Sequence, residues 1–183
     1  MDIIEINTVT HDVDFDLAYA TNRNFTSQPV YANAVCYLHR EAADKLETAV
    51  QLANELGLRI KIFDALRPGE AQWVLWNHTP DPDFLADPRR GSAHSRGVAI
   101  DLTLLDQNGQ ELEMGTAFDA FTPLSHHGNT GISPSAQQNR YTLLGLMTAA
   151  GWDCYLNEWW HYQLFKSRDY PLISDTDLPS PMM

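Results

Sequence analysis

Cysteine and positive charge are both scarce in this chain. Of 183 residues only Cys36 and Cys154 are cysteines. Two are too few for a disulfide framework and suit a reducing compartment. Lys and Arg total 12 against 24 Asp and Glu, for a formal net charge of −12. A surface this acidic repels phosphate backbones and anionic lipid, which argues against a nucleic-acid-binding or membrane-surface protein. No apolar run approaches the ~18 residues that a membrane-spanning helix needs. The opening Met1-Asp2-Ile3-Ile4-Glu5-Ile6 lacks a basic region followed by an apolar stretch, so no secretory signal is expected. Internal repeats, low-complexity blocks and interior linkers are also missing. The expectation is one acidic domain in the cytoplasm.

What is present divides into a few readable elements. Ala42, Leu46, Ala49, Val50, Ala53 and Leu56 recur at helical spacing, and Gly57 supplies a stop. A second helix is expected to open at Ser135, with Gln138 three residues on as a capping box, and to end at Gly151. A shorter helix is expected over 69–76, started by Pro68. Strands are expected over 58–65, 98–105 and 159–165, with Asp106-Gln107-Asn108-Gly109 as a turn. This order implies an α+β fold, a small antiparallel sheet with helices on one face, rather than a regular βαβ alternation. Residues 1–173 are read as a single domain and 174–183 as a tail that hugs the surface or hangs loose.

Strand parity points to a site. In Val98-Ala99-Ile100-Asp101-Leu102-Thr103-Leu104 every even position is aliphatic, so Ala99, Asp101 and Thr103 share the other face. Asp101 is therefore expected on an open face of the sheet. His94, Asp101 and His161 together offer two imidazoles and a carboxylate, a good three-ligand set for a zinc ion with a fourth position free. Glu158 stands three residues before His161. In one regular strand the two would face opposite sides, so Glu158 must sit on a bend, which Tyr155-Leu156-Asn157 permits. Taken alone, Glu158 also reads as a solvated loop acid. Arg67 precedes Pro68 and is biased toward the extended end of a strand, where it serves a site or simply pairs with Asp64. Trp73 and Trp76 read as core or pocket wall, His126 and His127 as loop histidines, and both cysteines as small buried hydrophobes.

Arg67-Pro68, then Ser92-x-His94-x-x-Gly97-x-Ala99-x-Asp101, then Glu158-Trp159-Trp160-His161-Tyr162 resembles the VanX-type D-alanyl-D-alanine dipeptidases. These are zinc peptidases related to D-Ala-D-Ala carboxypeptidases and to the hedgehog signalling domain. The resemblance spans nearly the whole chain, and the Glu-Trp-Trp-His run is its most specific part. It implies that His94, Asp101 and His161 bind one zinc ion. It further implies Glu158 as general base and acid, and Arg67 as the stabiliser of the developing oxyanion. Asp119 is implied as the partner of the substrate ammonium, with Ser92 and Tyr31 helping to hold the dipeptide; an Asp closing a loop is the plainer reading of Asp119.

The expected activity is hydrolysis of free D-alanyl-D-alanine to two D-alanines, with a small dipeptide as the only partner and no nucleic acid or membrane. Oligomeric state leaves no signal in the sequence. Two rivals share these residues: a carboxypeptidase or endopeptidase acting on longer peptidoglycan peptides, and a non-catalytic zinc domain that binds a partner. Glu158 and Arg67 argue against the second, since a structural zinc needs neither.

Overall fold

The most heavily buried strand is the one that carries Asp101. In the computed structural model, which describes residues 2–183, all seven residues of β5 (Ala99–Leu105) are buried. It is the centre of a five-stranded sheet, and its flanking strands are also short. In chain order the preceding elements are β1 (Ile3–Ile6), α1 (Thr8–His11), β2 (Asp14–Phe15), β3 (Cys36–His39), α2 (Arg40–Glu55), β4 (Arg59–Asp64) and α3 (Gly69–His78). After β5 come α4 (Pro134–Ala149), β6 (Asp153–Cys154) and β7 (His161–Gln163). The large sheet runs β2-β4-β5-β7-β6, while β1 and β3 form a separate two-stranded ribbon. Among the described residues only the β2–β4 pair is parallel.

Helices α2 and α4 cover the face that holds Ile60, Ile62, Ile100, Leu102 and Leu104. In α2, Ala42, Leu46, Ala49, Val50 and Ala53 are buried as their spacing predicts. Leu56 departs from the stripe: it caps the helix and is 61% exposed. Gly57 follows with φ +69°, the left-handed conformation that ends the helix without a Cβ penalty. Helix α4 begins one turn-fraction earlier than expected. Ser133, not Ser135, is the cap, and its hydroxyl accepts from the Ala136 N–H at 3.0 Å. Pro134 then takes the first helical position, where its missing N–H is not needed. The expected open face of the sheet is closed. Residues 111–126 and the turn before β7 fold over it, so Asp101 lies at the wall of a cavity rather than on a solvated surface.

A second apolar cluster gathers Tyr19, Tyr31, Tyr37, Leu66, Leu75 and Met182. The segment 174–183 contributes to it: Leu178 and Met182 are buried, and the Met182 carbonyl accepts from Ala32 and Asn33 N–H groups. Trp76 packs against this cluster, but Trp73 is 44% exposed. No described helix is long and apolar enough to cross a membrane.

Candidate active site

Register builds the site. Across three adjacent strands Asp64 of β4 pairs with Asp101 of β5, and Asp101 pairs with His161 of β7. The β4–β5 ladder is irregular between Ile62 and Asp64, which re-aims the strand end at this row. His94 comes from a 3₁₀ turn, His94–Arg96, closed by Gly97 at φ +68°. A Cβ at Gly97 would lie 3.2 Å from the backbone nitrogen of His39 and 3.2 Å from Leu66, so the close approach, as well as the φ, requires glycine.

Both imidazoles present one free nitrogen to the same point. The His94 Nδ1–H donates to the Ala65 carbonyl at 2.6 Å, which leaves Nε2 as the unprotonated nitrogen. His161 directs Nε2 at the Gln163 Oε1 at 3.3 Å and Nδ1 inward. The two inward nitrogens stand 3.1 Å apart. Asp101 sets Oδ1 3.1 Å from His161 Nδ1 and Oδ2 3.4 Å from His94 Nε2. Two lone pairs facing each other at that distance repel unless a cation lies between them, and a carboxylate completes the set. The donor atoms all fall within 4.8 Å of one another. These residues fit a divalent metal ion, with borderline nitrogen and oxygen ligands of the kind zinc takes and outer partners that fix both rings.

Glu158 occupies the expected bend. Its N–H donates to the Tyr155 carbonyl at 3.2 Å, and its Oε2 lies 3.9 Å from His161 Nδ1, beside the cluster. It is 6% exposed, so the solvated-acid reading does not hold. Desolvation, followed by repulsion from Asp101 and Asp119, pushes its pKa well above the usual value, against the pull of Arg67. Arg67 lies three residues beyond the end of β4. It is buried and fully braced: Nε donates to Asp64 Oδ2 at 2.8 Å and a terminal nitrogen donates to Gln72 Oε1 at 3.1 Å. Its other terminal nitrogen is 2.8 Å from Asp64 Oδ2 and 3.6 Å from Asp101, and the guanidinium sits 4.8 Å from the centre of the Tyr19 ring. The pairing with Asp64 is real and does not exclude a site role, because two of the five guanidinium N–H groups remain free.

These side chains line one cavity of about 340 Å³, together with Asp119, Ser92, Tyr19 and Trp160. Asp119 has a left-handed backbone, φ +57°, and accepts from the Tyr19 hydroxyl at 3.0 Å. Desolvation, then repulsion from Asp101, raises its pKa to about 8. Ser92 turns its hydroxyl inward to accept the His94 N–H at 3.1 Å. Tyr31 is the exception. It is buried away from the cavity, and its hydroxyl donates to Asp64 at 2.8 Å, so it braces the Arg67 support rather than facing a ligand. Tyr19 and Gln72 are parts of the site that sequence reasoning missed; an isolated aromatic and an isolated amide in apolar surroundings have no pattern to mark them. His126 and His127 lie outside the cavity, as expected.

A buried His–Asp–His cluster with a carboxylate and a guanidinium beside it, at the wall of a cavity in an α+β domain, is the architecture of a metallopeptidase. A family model described as D-ala-D-ala dipeptidase, of the M15 peptidases, matches residues 1–176, and the chain belongs to that family. It is 39% identical over 174 residues to the D-alanyl-D-alanine dipeptidase of Escherichia coli (strain K12), covering 95% of this chain and 90% of the relative. The protein of the same name from Enterococcus faecium is 36% identical over 188 residues, covering 91% and 92%. That of Streptomyces coelicolor (strain ATCC BAA-471 / A3(2) / M145) is 32% identical over 193 residues, covering 93% and 94%.

Proposed function

We propose that this peptidase hydrolyses free D-alanyl-D-alanine to two D-alanines, with one zinc ion held by His94, Asp101 and His161. The observation that carries the reading is the pair of inward imidazole nitrogens, 3.1 Å apart with their opposite nitrogens committed, beside the Glu158 carboxylate. When bound, the zinc supplies Lewis acidity, which acidifies a water molecule and polarises the scissile carbonyl. Glu158 takes the proton from the attacking water at a carboxylate oxygen and returns it to the leaving amine. Its elevated proton affinity suits the second transfer, and a cation at the cluster would favour the ionised form needed for the first. Arg67 aims its free N–H groups at the oxyanion that develops on the carbonyl, and its bracing by Asp64 and Gln72 means little reorganisation during the reaction. Asp119 receives the substrate ammonium, an ion pair that would draw its proton off. Ser92 acts on the substrate side of the His94 turn.

We further read 1–173 as the peptidase unit and 174–183 as an extension packed onto it, and place the enzyme in the cytoplasm, consistent with two free thiols. The test is hydrolysis of D-Ala-D-Ala and of N-acetyl-D-Ala-D-Ala by the zinc-loaded protein. Cleavage of the free dipeptide alone is expected, because acetylation leaves Asp119 without a partner, and an unpaired buried polar group costs about 1–3 kcal/mol. Comparable kcat/KM for the two substrates would move the assignment to a carboxypeptidase.

A further inference from the structure

Asp119 and Glu158 belong to segments 39 residues apart in sequence, and neither side chain hydrogen-bonds the other. What connects them is a chain of hydroxyls behind the cavity. The Trp159 Nε1–H donates to the Thr116 Oγ1 at 2.8 Å. Arg140, projecting from α4, approaches the same oxygen with a guanidinium nitrogen at 3.5 Å. A threonine hydroxyl has two acceptor positions and one hydrogen. With both acceptors engaged, Thr116 donates to Ser125 Oγ at 3.1 Å, and Ser125 in turn donates to the Ala120 carbonyl at 2.6 Å. The donor directions are consistent along the whole chain. It starts on the residue after Glu158 and ends on the residue after Asp119.

Arg140 ties the same loop down at both ends. Its Nε donates to the Met114 carbonyl at 2.6 Å, and another nitrogen donates to the carbonyls of Leu124 and His126 at 2.9 and 3.2 Å. The arginine is 3% exposed, and among the described residues no carboxylate pairs with it. An apolar side chain there would leave the Met114, Leu124 and His126 carbonyls without this donor, so the arginine fixes the course of the loop through its backbone. Trp159 is bound a second time, through its N–H to the Ser125 carbonyl at 3.1 Å.

We propose that Thr116, with Arg140 and Ser125, is a positioning unit that sets the separation between the ammonium-binding Asp119 and the base Glu158. The proposal rests on the roles given to those two carboxylates above. The experiment is a double-mutant cycle on the zinc-loaded, full-length enzyme, using Thr116→Val in the wild-type and Asp119→Asn backgrounds with D-Ala-D-Ala as substrate. Thr116→Val is isosteric and should lower kcat/KM by about ten- to a hundredfold, the range for displacing a reacting group by about 1 Å. Thr116→Ser should restore most of the loss with zinc content unchanged throughout. In the Asp119→Asn background the same substitution should cost several-fold less, because the group it positions is already removed. Wild-type activity in Thr116→Val, or an equal loss in both backgrounds, overturns the proposal. If Thr116→Val does not fold, Ser125→Ala cuts the chain one link further along and is read by the same criteria. A wild-type enzyme inactive on D-Ala-D-Ala but cleaving its N-acetyl form overturns the functional reading, a result distinct from either outcome of the cycle.

Discussion

Replacing Glu158 by glutamine keeps the side-chain volume and removes the group that carries the proton. Under the proposed chemistry, turnover of D-Ala-D-Ala should fall by ~10²–10⁴-fold. Zinc content after dialysis should stay at the wild-type level, since His94, Asp101 and His161 form the ligand cluster without Glu158, whose Oε2 lies 3.9 Å from His161 Nδ1. His161→Ala should do the reverse at the metal: one of three ligands is gone, and zinc is lost on dialysis while the far side of the core stays packed. Metal analysis of the two variants side by side separates base from ligand. Loss of zinc from Glu158→Gln would make it a ligand and leave the mechanism without a base. These residues were legible because their chemistry is unusual for their surroundings: a carboxylate in an aliphatic strand, and an acid three residues from a histidine with a bend between them. Tyr31 misled because a tyrosine hydroxyl serves a buried carboxylate as readily as a substrate, and only the 2.8 Å contact with Asp64 tells the two apart.

At the scale of elements, the loop from β5 to α4 is where local sequence was least informative. The even-numbered aliphatics of β5 correctly showed which face packs on α2 and α4. They could not show that residues 111–126 cover the other face, because that roof is held by Arg140 and by Trp159, both distant in sequence. A similar limit applies to the start of α4, where the Ser135–Gln138 spacing imitates a capping box but Pro134 fixes the first turn one step earlier. Within this loop His127 is partly buried beside Arg140, and its Nε2 has no hydrogen-bond partner among the described residues. Burial first, and the arginine second, lower its pKa from 6.5 to about 4. The unfolded chain therefore binds a proton at a higher pH than the folded one. The His127 contribution to stability is constant above about pH 6.5, falls as the pH drops through the window down to about 4, and then levels off. His127→Asn should flatten the urea midpoint over that window relative to wild type, by the equivalent of up to about 3 kcal/mol. Parallel midpoint-versus-pH curves for the two proteins would show that His127 titrates normally.

For the whole molecule, the α+β class followed from the order of elements and the three main helices from periodicity in α2 and from start and stop residues in α3 and α4, whereas the ribbon of β1 and β3 and the two-residue strands at the sheet edges were too short to carry a period. The tail was also underestimated. Its composition offers little to bury, yet Leu178 and Met182 complete the second apolar cluster. The Asp64–Asp101–His161 row has a further consequence for how such a chain tolerates change over evolutionary time. Substitutions can be absorbed one at a time, but a lost residue inside β4, β5 or β7 shifts every later side chain to the opposite face of its strand. The alleles open to such a gene are therefore asymmetric: length drifts freely only in the turns and loops between strands, where no ladder is shifted. In a library of single-residue deletions sorted for zinc retention, those within 99–105 should vanish, and those in the exposed stretch 107–109 should survive. Survival of deletions on both sides of Asp101 would mean that metal capture does not depend on the ladder.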